Sequence, residues 1–473
     1  MQIVVLLAFV VGLTALDMPL EFPSPLPGSW SVAAIGAYLL ISAALSAAGA
    51  IPASRALRRR GQMTVRATRL HGLVTAAGQA WLVVGLAGVI SAGYGRWLRE
   101  HLGLRHVPLA AELAALAPFV AALLINWVLE YPLHRARRER LFGSALFATP
   151  PRIWRLGEYL GYNVRHHLLF IAAPLSLILL ARDLLDQNLA PRLKDLPGGQ
   201  AILFGAMFCS AGLVFFFAPV LIVRLWKTRA LPAGSLRGEL EDLCRRMKLR
   251  YREILLWESG GVIANAGVMG LAPSVRYILL SDALLENMDR RCVLSVFAHE
   301  AGHIVCRHIL YSMMFAIASV TLCVYAVALL GEGVELSAPM GEMIALPLLA
   351  VVWGSGFGWI SRRFEWQSDA IAAWASGELP PSPDGVISQE GAAVFAMALG
   401  RVAQLSGIPY RQRNWRHGSI EHRIERVLML GQTGGTRREI DRVVNRIKVL
   451  LWLGLIASVA VTVWDLTREW FNG

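Results

Sequence analysis

Nine apolar stretches dominate the chain, near residues 1–16, 31–50, 71–93, 107–129, 167–184, 201–225, 309–330, 342–361 and 449–465. A helix needs about 20 such residues to cross a hydrocarbon core. A sequence of 473 residues that is 55% hydrophobic and 17% charged has too little polar surface to shield these runs from water as an ordinary soluble enzyme would. In a bilayer, backbone groups must be satisfied within each segment, which selects helices. The expected fold is therefore mainly α: a polytopic α-helical membrane protein of about nine spans, with a cytoplasmic domain carrying a small β-hairpin or sheet.

The connections between the runs alternate in charge. Arg55, Arg58, Arg59, Arg60, Arg66 and Arg69 crowd one loop, whereas the preceding loop carries Asp17 and Glu21 and no base. The pattern recurs in the Arg-rich 130–166 loop, set against the acidic loop holding Glu332 and Glu335. Retention of basic loops on the inner side predicts a cytoplasmic N-terminus and an external C-terminus. It also accounts for the net charge of +13 without a nucleic-acid partner. The five cysteines show no CxxC pairing or disulfide-like spacing, so reduced thiols are expected.

This partition gives a membrane bundle of six spans over 1–225, a first polar segment over 226–308, a transmembrane hairpin over 309–361, a second polar segment over 362–448, and a last span and tail over 449–473. Both polar segments fall on the cytoplasmic side and are expected to form one domain. In the first, an amphipathic helix is expected over Leu236–Leu249 and strands over Arg252–Trp257 and Val275–Leu280. Ser281-Asp282 supplies an N-cap for a helix running to the membrane entry near Ile309. In the second, a loop around Leu379–Gly385 precedes a helix to about Leu405, a short helix after Ser419 and a basic helix from Arg437.

The chemistry concentrates in His299-Glu300-Ala301-Gly302-His303. Two histidines four positions apart on a helix project from nearly the same face, as two imidazole ligands of one zinc ion must. Glu300, beside them, is placed to take the proton of an attacking water. A catalytic zinc needs a third protein ligand, and Glu365, at the cytoplasmic end of the eighth run, is the best candidate. Asp369, one turn on, shares its face and is suited to orient an imidazole N–H. His308, five residues after His303, would lie about 140° around a continuous helix and is expected at the surface or interface.

Four separated motifs together resemble the membrane gluzincin zinc metalloproteases that include the type I CAAX prenyl proteases and the HtpX-type bacterial proteases. They are Asn265-Ala266-Gly267-Val268-Met269-Gly270, the HEAGH helix, the Glu365-to-Asp369 element, and His417-Gly418-Ser419-Ile420-Glu421-His422-Arg423. The resemblance spans roughly residues 236–430 and implies that the cytoplasmic domain is zincin-like. It implies one catalytic zinc on His299, His303 and Glu365, with Glu300 as base. It further implies that Asn265, Ala266 and Gly270 belong to a strand that binds extended substrate, and that His417 and Arg423 steady the oxyanion. Gly418 and Ser419 follow His417 where the family commonly has two prolines.

The expected function is zinc-dependent endoproteolysis of membrane-associated or misfolded proteins at the cytoplasmic membrane face. The Ala-, Arg- and Leu-rich composition points to a bacterial inner membrane. Two alternatives are CAAX-type processing of lipidated C-termini and a non-catalytic scaffold or transporter with a structural zinc. The lipid bilayer and a protein or peptide substrate are the expected partners.

Overall fold

The computed structural model describes the chain except for residues 18–27, 62–64, 143–151, 262, 335–347, 350, 378–381, 383 and 473. It divides into two compact units, Met1–Lys227 and Thr228–Gly473. The acidic residues Glu21 and Glu335, most of the 379–385 loop and much of the span expected over 342–361 lie outside the described residues.

Among the described residues, seven helices are long and apolar enough to cross a membrane, against the nine spans expected. Gln2–Asp17 is helical but has only 16 residues, short of a full crossing. The first unit contains five of the seven: Trp30–Arg59, Arg66–Glu100, Ala110–Arg140, Leu156–Asn188 and Gly199–Leu225. Several of its buried polar groups find partners inside the bundle, as a low-dielectric interior favours. Asn126 Nδ2 donates to Ser42 Oγ at 3.0 Å, and Tyr38 Oη donates to the Leu82 carbonyl at 2.9 Å. Glu112 pairs with Arg182 at 2.9 Å.

The second unit is built on a four-stranded sheet of β1 (Thr228–Ala230), β2 (Glu253–Trp257), β3 (Ala266–Met269) and β4 (Tyr277–Ser281). The order is β1-β2-β4-β3. The central pair β2 and β4 is parallel, with Ile254 opposite Ile278, and both outer strands are antiparallel. The arrangement is thus a mixed sheet and not an isolated hairpin. The central strands are apolar on both faces because both are covered. Ile254, Ile278 and Leu280 pack with Leu240, Phe297, Phe364 and Phe395 in one core.

Among the described residues, β3 is an outer strand and leaves one edge unpaired. Its end is fixed by Gly270, whose φ is +106° and where a Cβ would sit 2.2 Å from the Val275 carbonyl oxygen. Only glycine fits that return into β4.

The helix expected from Ser281 to the membrane entry is two helices. Ser281 Oγ accepts from Leu284 N and caps only Asp282–Asn287. Asp289 then accepts from Arg291 N and Cys292 N and starts Arg290–Val305, which carries HEAGH. This helix crosses Gly358–Ala375, and Gly302 permits the approach, since a Cβ there would lie 3.2 Å from Ser368 Cα. Beyond it, Cys306 and Arg307 break the helix. Arg307 takes φ +57°, and His308 opens the next one, His308–Val334. The C-terminal helix Arg437–Asn472 packs against both His308–Val334 and Gly358–Ala375.

Candidate active site

The crossing of the two helices brings three donors together. His299 Nε2 and His303 Nε2 lie 3.3 Å apart. Glu365 Oε2 is 3.6 Å from the first and its Oε1 is 3.6 Å from the second. A tetrahedral zinc with bonds of about 2.0–2.1 Å separates its ligand atoms by about 3.4 Å. The triangle therefore has the dimensions of one face of such a site, and the donor set of two imidazoles and a carboxylate suits zinc.

Each donor is held from behind. His299 Nδ1 lies 3.0 Å from Asp369 Oδ1, although its N–H is not aimed squarely at that oxygen. Phe395 stacks on the His299 ring. Arg423 grips Asp369 with both arms, Nε to Oδ2 at 2.9 Å and Nη2 to Oδ1 at 2.6 Å, and reaches Glu365 Oε2 at 3.2 Å. His417 Nδ1 lies 2.8 Å from Glu365 Oε1. Arg423, Asp369 and Glu365 are all buried.

Electrostatics follow from this packing. Burial raises the Glu365 and Asp369 carboxyls, but Arg423 outweighs it with the histidines' help, leaving Glu365 well below the usual carboxylate range and Asp369 below its own. Burial lowers His303 to about 4, so its ring is neutral, as a ligand must be. For His299 burial also lowers the value, yet the contact and charge of Asp369 leave it raised. Glu300 is pushed up to about 7, chiefly by burial, with His299 opposing and Glu365 adding to the rise.

Glu300 lines a cleft of about 600 Å³ with His299, His303 and Glu365. Asn265, Ala266 and Val268 of the β3 region line the same cleft, as do His417 and Arg423. Asn265 and Ala266 thus stand beside the histidines, whereas Gly270 acts at the far end of β3, on the turn. His417 sits on a loop tied by Asn414, whose N–H donates to the Gly418 carbonyl at 3.0 Å and whose carbonyl accepts from Gly418 N at 2.8 Å. Gly418, at φ +78°, closes that loop where a proline could not, and Ser419 caps the next helix, Ile420–Gln432.

His308 is not at the surface. It is 3% exposed, its Nδ1 is 2.9 Å from His303 Nδ1, and Phe364 lies parallel over its ring. The extrapolation of one straight helix fails because Arg307, in the left-handed region, turns the chain back.

With this geometry in hand, residues 230–388 match the family model of peptidase family M48. Over this domain the chain is similar to the M48 peptidases. The M48 match includes His299, Glu300, His303, Glu365 and Asp369, and ends before His417 and Arg423. The Arabidopsis thaliana protein described as CAAX prenyl protease 1 homolog is 25% identical over 186 residues, 36% of this chain and 44% of that protein. The chain therefore spans less than half the length of that relative. Among solved structures, the crystal structure of S. mikatae Ste24p aligns with a TM-score of 0.48 and 15% identity, over 85% of this chain and 100% of that one.

Proposed function

We propose that the protein is a zinc-dependent endopeptidase acting on membrane-associated or misfolded proteins, with its active site at the cytoplasmic face of the membrane. The observation that carries this reading is the triangle of His299, His303 and Glu365 beside Glu300 and an open strand edge.

His299, His303 and Glu365 would hold a zinc ion, which would supply Lewis acidity to the cleft. Glu300, with a pKa near neutrality, accepts the proton of the attacking water and returns it to the leaving amine. The free edge of β3 offers main-chain hydrogen bonds to an extended peptide and sets its register across the cleft. His417, part-exposed at the cleft wall, donates to the oxygen that gains charge. Arg423, with its donors engaged by Asp369 and Glu365, acts on that oxygen as a fixed positive field.

The site lies where the catalytic helix gives way to the membrane-length helix beginning at His308, which favours substrates close to the bilayer. The basic loops favour a cytoplasmic side for this end and, with the composition, a bacterial inner membrane. The relative's description as a CAAX prenyl protease homologue favours a second reading, processing of lipidated C-termini.

Purified wild-type and Glu300→Gln protein, offered a membrane-protein substrate and prenylated and unprenylated peptides of one sequence, separate these readings. Cleavage of all three by wild type, and of none by the variant, is expected. Cleavage confined to the prenylated peptide favours the second reading, and equal cleavage by the variant refutes both. Zinc binding without any cleavage identifies a structural site on a scaffold or transporter.

A further inference from the structure

We propose that His308, Gln367 and Asp441 form a directed hydrogen-bond relay that fixes His303 for metal binding and makes the C-terminal helix a functional part of the metal site. The inference rests on the zinc site proposed above.

The contacts run in series. His303 Nδ1 meets His308 Nδ1 at 2.9 Å, and His308 Nε2 meets Gln367 Oε1 at 2.8 Å. The amide nitrogen of Gln367 donates to Asp441 Oδ1. The proton positions along this series are determined by its two ends. The Nε2 of His303 faces the donor triangle and must offer a lone pair, so its proton sits on Nδ1. His308 Nδ1 then has to accept, which places the His308 proton on Nε2. That proton needs an acceptor, and Gln367 presents its carbonyl oxygen. The amide NH₂ is left to donate, and it meets a carboxylate, which accepts only.

Reversing any link would set two donors or two acceptors against each other inside the protein. His308 is 3% exposed and Gln367 2%, so water is not at hand to repair such a mismatch. Phe364 lies 5° from parallel over His308 at 4.3 Å and holds the ring in the plane the relay needs. The anchor Asp441 belongs to Arg437–Asn472, a helix whose Arg437–Trp464 stretch is membrane-length. Lys448 of the same helix lies over the Tyr311 ring at 5.0 Å, which seats it against His308–Val334.

The two histidine ligands are thus backed differently. On the Nδ1 side, His299 meets a carboxylate directly, whereas His303 reaches one through two neutral groups. His308, Gln367 and Asp441 are positioning residues, since none touches the cleft's reacting atoms.

The test uses the full chain in detergent, with zinc affinity measured by chelator competition and cobalt substituted as a spectroscopic probe. Disruption of residues that orient metal-bound histidines costs about 10–100-fold in metal affinity. His308→Leu, Gln367→Leu and Asp441→Leu are each expected to weaken zinc binding by about that factor and to shift the cobalt absorption bands. Asp441→Glu, which retains the acceptor, is expected to restore most of the affinity. Unchanged affinity in the three leucine variants overturns the relay while leaving the zinc site standing. Weakened binding that Asp441→Glu fails to restore overturns it as well, because helix packing alone then explains the loss. A wild-type protein that binds no zinc overturns the zinc site itself.

Discussion

Replacing Arg423 with methionine tests whether the charges behind the metal ligands are mutually dependent. The guanidinium is 6% exposed, holds both Asp369 oxygens and contacts Glu365. Methionine fills similar volume but leaves two buried carboxylates without their common cation. Removing one partner of a buried ion pair costs about 3–5 kcal/mol, most of it the penalty of the stranded charge. For a unit of 150–250 residues each kcal/mol moves the melting temperature by about 2–4 °C, so a fall of about 6–20 °C is expected. The double variant Asp369→Asn with Arg423→Met removes one stranded charge together with the cation, and should melt above Arg423→Met alone. Intrinsic fluorescence of the metal-free protein during heating in detergent provides the assay. A single variant within 2 °C of wild type, or a double variant no better than the single, would refute the reasoning.

Substitutions at two further positions probe the backbone that positions the site. Gly302→Ala places a Cβ 3.2 Å from Ser368 Cα, where a backbone neighbour must move by a few tenths of an ångström, so the helices carrying His303 and Glu365 should part and zinc affinity should fall. Chelator competition on the purified variant checks this, and unaltered affinity would show that the crossing tolerates the methyl group. Arg307→Gly relieves a left-handed residue worth about 1–2 kcal/mol and should keep or raise thermal stability, whereas Arg307→Val should lower both stability and zinc binding. Equal behaviour of the two variants would mean that the turn into His308 does not depend on that φ.

The parts of the site legible in the sequence are those fixed by local periodicity. Four-residue spacing put His299 and His303 on one face and Glu365 in line with Asp369, and the structure brings all four together. The non-local pairs were harder to read. Nothing near Arg423 shows that its guanidinium is committed to Asp369, since the two are 54 residues apart in sequence. His308 was hidden by a helix break with neither glycine nor proline to announce it. The split before the catalytic helix did leave a sign in Asp289, a strong N-cap residue, but the apolar periodicity across it suggested continuity. Parallel pairing of β2 with β4 likewise depends on a connection that no local pattern encodes.

Zinc K-edge X-ray absorption on the purified full-length protein tests the central claim most directly. One zinc per chain is expected, bound at about 2.0–2.1 Å by two imidazole nitrogens and a carboxylate oxygen, retained in Glu300→Gln and lost in Glu365→Ala. A spectrum dominated by sulfur ligands at about 2.3 Å, or a zinc site unaffected by Glu365→Ala, would contradict the account.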